Sequence, residues 1–123
     1  MTTILYVEDN PANLALIHNL IDLMNGYTLL TTLNAEDGIE IAIAKQPDII
    51  LMDINLPGMN GYEALEILTA NEATKHIPVV AVTANAMKEH VKKGKESGFK
   101  SYITKPIDIK GLVEVLNTYS VDK

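Results

Sequence analysis

Apolar and polar positions follow two rhythms along this chain. Five short apolar runs, Thr3–Val7, Tyr27–Leu33, Asp48–Met52, Val79–Val82 and Ser101–Thr104, have the length and composition of strands. Three of them are β-branched and apolar at nearly every position, as strands covered on both faces are. Between the runs lie stretches with helical spacing and helical punctuation. Asn10-Pro11 offers an N-cap followed by proline at the first helical position, and Leu14, Ile17, Ile21 and Met24 then form one apolar face. Gly26 suits the left-handed residue that would close that helix. Asn34 can cap a second helix that ends before Pro47. Asn60 with Glu63 has the spacing of a capping box for a third, with Ala64, Leu65 and Leu68 facing inward. A fourth helix is expected from about Asn85 to Glu96, stopping at Gly98. Asp108 can cap a fifth, whose Leu112, Val115, Leu116 and Tyr119 face the core.

Five strand–helix units in 123 residues predict an α/β fold, an open parallel sheet with five helices on both faces. The number of strands favours the flavodoxin-like doubly wound order 2-1-3-4-5. In such a sheet, ligands bind outside the carboxyl ends of the strands where the strand order reverses, here between strands 1 and 3. Strand 1 runs out in Glu8-Asp9 and strand 3 in Asp53. Two like charges about 4 Å apart repel by roughly 4 kcal/mol at a surface-like dielectric. Loop carboxylates are commonly solvated or cap helices, but three converging on a switch point call for a cation. Oxygen ligands select Mg²⁺, Ca²⁺ or Mn²⁺. Strand 4 ends in Thr83 and strand 5 leads into Lys105-Pro106. Alone, the first reads as a helix cap and the second as a solvated lysine. Together with the acids they make a nucleophile, a metal site and donors to phosphoryl oxygens.

Composition narrows the rest. A net charge of −6 disfavours direct nucleic-acid binding. There is no cysteine, hence no disulfide, thiolate metal site or cysteine nucleophile. Hydrophobic residues make up 47% of the chain, enough for an ordinary core. No apolar run approaches the roughly 20 residues that span a bilayer, and Met1-Thr2-Thr3 lacks the features of a signal peptide. The expectation is one cytoplasmic domain over residues 1–123. His18, His76 and His90 are scattered without metal-ligand spacing. Lys88, Lys92, Lys93 and Lys95 on the fourth predicted helix read as a solvated face, and there is no glycine-rich nucleotide loop.

Four ordered segments, YVEDN, DIILMDINLPGMNG, AVTANAM and YITKPID, closely resemble the receiver (response-regulator, CheY-like) domains of two-component signalling, and the resemblance spans essentially the whole chain. Receivers are a known example of the switch-point rule, so family and crevice are not independent. The resemblance implies that Asp53 is the phosphoacceptor. It implies a Mg²⁺ ion (Mn²⁺ can substitute) held by Asp9, Asp53 and the backbone carbonyl of Asn55, with Glu8 assisting through water. Thr83 and Lys105 would bind the phosphoryl group, and Tyr102 would be the switch aromatic. The resemblance also implies a cis Lys105-Pro106 bond, which a trans preference before proline of only about 0.5–1 kcal/mol permits. Implied partners are a histidine kinase or histidine phosphotransfer protein, docking near strand 5 and the first helix. A downstream protein would meet the face of the fourth helix, strand 5 and the fifth helix. Because no output domain follows Asp108–Lys123, the output is expected to be protein contact, unless the chain is part of a larger protein. One departure is that the first acid is Glu8, where aspartate is common.

Three rival functions are weaker. A dehalogenase-type phosphatase needs a second aspartate two residues after the nucleophile, and that position is Asn55. A flavin carrier needs a Ser/Thr/Gly-rich phosphate loop after strand 1, whereas this chain has EDNPAN, no tryptophan and one phenylalanine. A binding module that works without phosphorylation has no reason to keep the acids, Thr83 and Lys105 together. The chain is therefore expected to be a phosphoacceptor rather than an enzyme acting on other molecules.

Overall fold

The structure is a computed structural model that describes residues 2–84 and 98–119. Five strands run in parallel: β1 (Thr2–Val7), β2 (Tyr27–Thr32), β3 (Ile49–Asp53), β4 (Val79–Thr83) and β5 (Ser101–Thr104). Their order across the sheet is β2-β1-β3-β4-β5, as the strand count predicts. Among the described residues there are four helices: α1 (Pro11–Asp22), α2 (Ala35–Lys45), α3 (Gly61–Ala70) and α4 (Ile109–Tyr119). The helix expected from Asn85 to Glu96 lies outside the described residues, as do His90 and the four lysines 88, 92, 93 and 95. None of the described helices is long and apolar enough to cross a membrane.

The helix starts follow from their caps. Asn10 accepts the amide N–H groups of Ala12 and Asn13, and Asn34 accepts that of Asp37. Asn60 and Glu63 form the complete capping box. Asp108 Oδ1 accepts the Gly111 N–H at 2.7 Å, which starts the last helix as expected. One helix end differs from expectation. α1 stops at Asp22, with Leu23 as its right-handed C-cap, before Gly26 is reached. Gly26 does adopt a positive φ of 91°, but in the turn into β2, where its carbonyl accepts the Thr2 N–H.

The sheet divides two cores. On one face Ile17 and Ile21 of α1, with Leu112, Val115 and Leu116 of α4, pack on Ile4, Tyr6, Ile49, Leu51, Val80 and Val82. On the other, Ala35 and Ala42 of α2, with Ala64, Leu65 and Leu68 of α3, pack on Leu5, Val7, Ile50, Met52 and Ala81. Residues two apart on a strand share a face. Glu8 therefore follows Ile4 and Tyr6 toward the α1/α4 face, and Asp53 follows Ile49 and Leu51 there. The sheet register sets Asp53 beside Val82 and Thr83 beside Thr104. It thereby brings the ends of β1, β3, β4 and β5 to one edge.

Candidate functional site

Three carboxylates meet at that edge. Glu8, Asp9 and Asp53 each offer an oxygen within 4.8 Å of the others, with Glu8 and Asp53 buried and Asp9 exposed. Asp53 is the last residue of buried β3, and Glu8 directly follows buried β1. Asp9 lies one residue further on and looks outward.

Lys105 binds the two buried acids together. Its Nζ lies 2.9 Å from Asp53 Oδ2 and 3.1 Å from Glu8 Oε1. Its backbone N–H is donated to the Thr83 carbonyl at 2.9 Å, so the lysine is anchored to the end of β4 before its side chain turns into the site. The Lys105-Pro106 peptide is cis, as expected from the sequence. The second oxygen of Asp53 accepts the Asn55 N–H at 3.0 Å. Asn55 itself is exposed, and Ile54 N–H is donated to the Val82 carbonyl, which fixes the exit of β3 to β4.

The electrostatics follow from burial and the shared lysine. Burial raises Asp53 above the ordinary carboxylate range to about 6, Lys105 counteracts it, and the neighbouring Glu8 adds to the rise. Burial also acts to raise Glu8, but hydrogen bonds involving Asp53, Tyr6, Lys105 and the Asn10 backbone outweigh it and lower its pKa. Of the two acids, Asp53 is thus the one that holds a proton first. For Lys105, burial acts downward, yet the bonds to Asp53 and Glu8 prevail and raise its pKa, so it stays charged. Lys105 pairs with two of the three carboxylates, which leaves an excess of negative charge that hard cations satisfy.

Thr83 is buried at the last position of β4. It shares the α2/α3 face with Ala81 two residues earlier. Tyr102 pairs with Ala81 across the β4–β5 ladder and packs against the same core, its ring edge-on to Phe99 at 5.8 Å. Thr83 and Tyr102 therefore occupy one face of adjacent strands, and the Tyr102 hydroxyl is shielded from solvent. Asn85 lies outside the described residues. His18 and His76 are exposed and far along the chain from the acids' strand ends.

Two contributors were not foreseen from sequence. The Tyr6 hydroxyl donates to Glu8 Oε1 at 2.8 Å, and burial first, then Glu8, pushes its pKa far above the usual phenolic value. A tyrosine two positions before a strand-end acid, and so on the same face of the strand, is the signal that could have revealed it. Gly61, the first residue of α3, is the other. A Cβ there would lie 2.8 Å from Ile54 Cα and 2.9 Å from the Asp53 carbonyl oxygen, both backbone atoms. Its N–H is donated to the Ile54 carbonyl at 3.0 Å. Only glycine lets α3 begin against the chain that carries Asp53.

Comparisons with known proteins agree with this geometry. Residues 4–117 match the family model described as the response regulator receiver domain. The chain is 38% identical over 120 residues to the polar-differentiation response regulator DivK of Brucella anthropi, covering 98% of this chain and 97% of that protein. The receiver domain of a sensor histidine kinase from Pseudomonas aeruginosa, which has a magnesium ion coordinated in its active-site cleft, is 30% identical. It superposes with a TM-score of 0.86 over 96% of each chain. The chemotaxis protein CheY4 of Vibrio cholerae is 25% identical, with a TM-score of 0.85 over 97% of this chain and 98% of its own. The chain belongs to the response regulator receiver domain family of two-component signalling.

Proposed function

We propose that residues 1–123 act as one receiver unit that accepts a phosphoryl group on Asp53 in a Mg²⁺-dependent reaction and changes a protein-binding surface in response. The observation that carries this reading is the buried Asp53 carboxylate, held at 2.9 Å from Lys105 inside a cluster of three acids within 4.8 Å of one another. The donors suit the ion: all are hard oxygens, and their combined charge exceeds what Lys105 neutralises. Asp9, Asp53 and the Asn55 carbonyl would hold it, with Glu8 behind them. Bound there, the ion supplies charge neutralisation for an incoming phosphoryl group.

The chain's own residues supply the rest. Asp53 attacks phosphorus in line and forms the acyl phosphate, while the bond from phosphorus to the donor's nitrogen or oxygen breaks. Phosphoryl transfer asks chiefly for positioning and charge stabilisation, so a binding site of this kind is sufficient catalyst. A nucleophile must be deprotonated, and Lys105 keeps Asp53 ionised at neutral pH despite its burial. Once the phosphoryl group is attached, Lys105 remains near its oxygens. Thr83, on the opposite face of the sheet edge, must come round the end of β4 to donate to it. That movement vacates space beside Tyr102, whose ring can follow, and the β5–α4 face changes shape. The donor is a phosphohistidine on a kinase or phosphotransfer protein, and the output is contact with a downstream protein.

Incubation with acetyl phosphate and Mg²⁺ tests this reading by intact mass. The wild-type protein should gain one phosphoryl group, with no gain when the metal is chelated. A gain that is unaffected by chelation, or none at all in the wild type, would overturn it.

A further inference from the structure

Glu8 is completely buried, and the structure accounts for most of its acceptor capacity. Oε1 accepts the Tyr6 hydroxyl at 2.8 Å and also faces Lys105 Nζ at 3.1 Å. Oε2 accepts the Asn10 N–H at 3.2 Å. A carboxylate offers about four acceptor sites, two on each oxygen. Both sites of Oε1 are therefore taken by protein donors, and at most one site remains, on Oε2, with the Asp53 carboxyl also hydrogen-bonded to this glutamate. The Tyr6 ring is fully buried in the α1/α4 core with Ile4, Ile17 and Ile49, which holds its hydroxyl against Glu8.

We propose that Tyr6 is a positioning and metal-selectivity residue: by occupying Glu8 Oε1 it prevents Glu8 from presenting both oxygens to a cation, and so disfavours Ca²⁺ relative to Mg²⁺. The physical basis is the difference between the two ions. Ca²⁺ accepts six to eight oxygens at about 2.3–2.6 Å and readily takes a carboxylate by both oxygens, whereas Mg²⁺ demands near-octahedral ligands at about 2.0–2.1 Å and keeps its water. A glutamate restricted to at most one free acceptor site suits the second ion and starves the first. The side chain of Glu8 is long enough to swing, so the restriction has to come from its partners, and Tyr6 is the partner with no other duty. This inference rests on the proposed cation site but concerns its selectivity rather than its existence.

The test is competitive titration of Ca²⁺ and Mg²⁺ into the full chain, followed by the amide NMR signals of Asp9 and Asp53. It would be run for wild type, Tyr6→Phe, Glu8→Gln and the double variant. Tyr6→Phe keeps the ring and removes only the donor. Outer-shell partners of this kind commonly alter metal affinity by about tenfold or more, and a preference shift toward Ca²⁺ of roughly that size is expected. In the Glu8→Gln background Tyr6→Phe should shift nothing further. A loosened core would weaken both ions alike and leave the ratio unchanged. An unchanged ratio, or an equal shift with and without Glu8, overturns the proposal. The wild-type protein offers a second reading that requires no variant to fold. The buried Tyr6 hydroxyl proton should be slow to exchange and should remain hydrogen-bonded at Mg²⁺ saturation; its release on Mg²⁺ binding would mean that Glu8 turns Oε1 to the ion, contrary to the proposal. If wild type binds neither ion, the cation site itself is wrong and this inference falls with it. If wild type binds Mg²⁺ and Tyr6→Phe keeps the same preference, only the inference falls.

Discussion

Replacing Asp53, the proposed phosphoacceptor, should make the metal-free protein more stable, and the gain should depend on pH. Asp53 is held at a pKa of about 6 against an ordinary 3.8, because burial and Glu8 disfavour its charge more than Lys105 favours it. A tenfold change in proton affinity corresponds to about 1.36 kcal/mol, so the ionised carboxylate costs the fold at most about 3 kcal/mol at pH 8. Asparagine removes that charge at nearly constant volume. The ion pair with Lys105 at 2.9 Å is already counted in that figure, and the amide NH₂ that asparagine brings up to the lysine reduces the net gain to about 1–2 kcal/mol. A carboxylate whose folded pKa is raised contributes stability that is complete below its unfolded pKa and is lost as pH rises through the folded one. The wild type should accordingly recover stability between pH 8 and pH 4 through this group, and Asp53→Asn should not. Glu8 works in the opposite sense in the wild type: its lowered pKa contributes stability above the ordinary range that fades as pH falls. The assay is urea unfolding without metal at pH 8 and pH 5. With a denaturant slope of about 1–2 kcal/mol per molar, Asp53→Asn should raise the midpoint by roughly 1 M at pH 8 and much less at pH 5. Adding Mg²⁺ at pH 8 should raise the wild type and close the gap. A destabilised Asp53→Asn at pH 8, or a difference that does not vary with pH, would refute the electrostatic account of the site.

Three further outcomes follow from the geometry. Gly61→Ala inserts a methyl group against the backbone of Asp53 and Ile54, so it should destabilise by about 1–3 kcal/mol in thermal or urea unfolding and slow phosphorylation by acetyl phosphate. Asp9→Ala should weaken Mg²⁺ binding in an NMR titration far more than Glu8→Gln, because Asp9 is exposed to the incoming ion while Glu8 is occupied by Tyr6, Lys105 and Asn10. Equal losses would mean the two acids are wrongly assigned. Thr83→Ala should still accept a phosphoryl group, yet with beryllofluoride and Mg²⁺ it should lose most of the NMR shifts that wild type shows at Tyr102 and along β5.

Much of this fold is legible in the sequence because its signals are local. Asn10-Pro11, Asn34, the Asn60–Glu63 pair and Asp108 each mark a helix start through hydrogen bonds within four residues. The apolar runs place the strands to within a residue or so; β2 ends at Thr32 rather than Leu33, and β3 runs through Asp53 rather than stopping at Met52. Gly26 misled because its positive φ serves the turn into β2, and glycine marks the backbone conformation without saying which element it closes. The acids at the edge were readable from strand ends and the switch-point rule. The ties between them were not, since they depend on side chains from distant strands. Lys105 reaches Asp53 across 52 positions, and no spacing rule covers such a bond. The close approach behind Gly61 is likewise a product of how α3 docks on β3.

Phosphoacceptance is tested most directly by the chemical identity of residue 53 after exposure to a phosphoryl donor. The protein would be treated with acetyl phosphate and Mg²⁺, reduced with borohydride to convert an acyl phosphate to the alcohol, digested and mapped by tandem mass spectrometry. The prediction is homoserine at position 53 and unmodified aspartate or glutamate at positions 8 and 9. Reduction at position 8 or 9, or a phosphoryl group found on a serine, threonine or histidine while Asp53 remains intact, would contradict it.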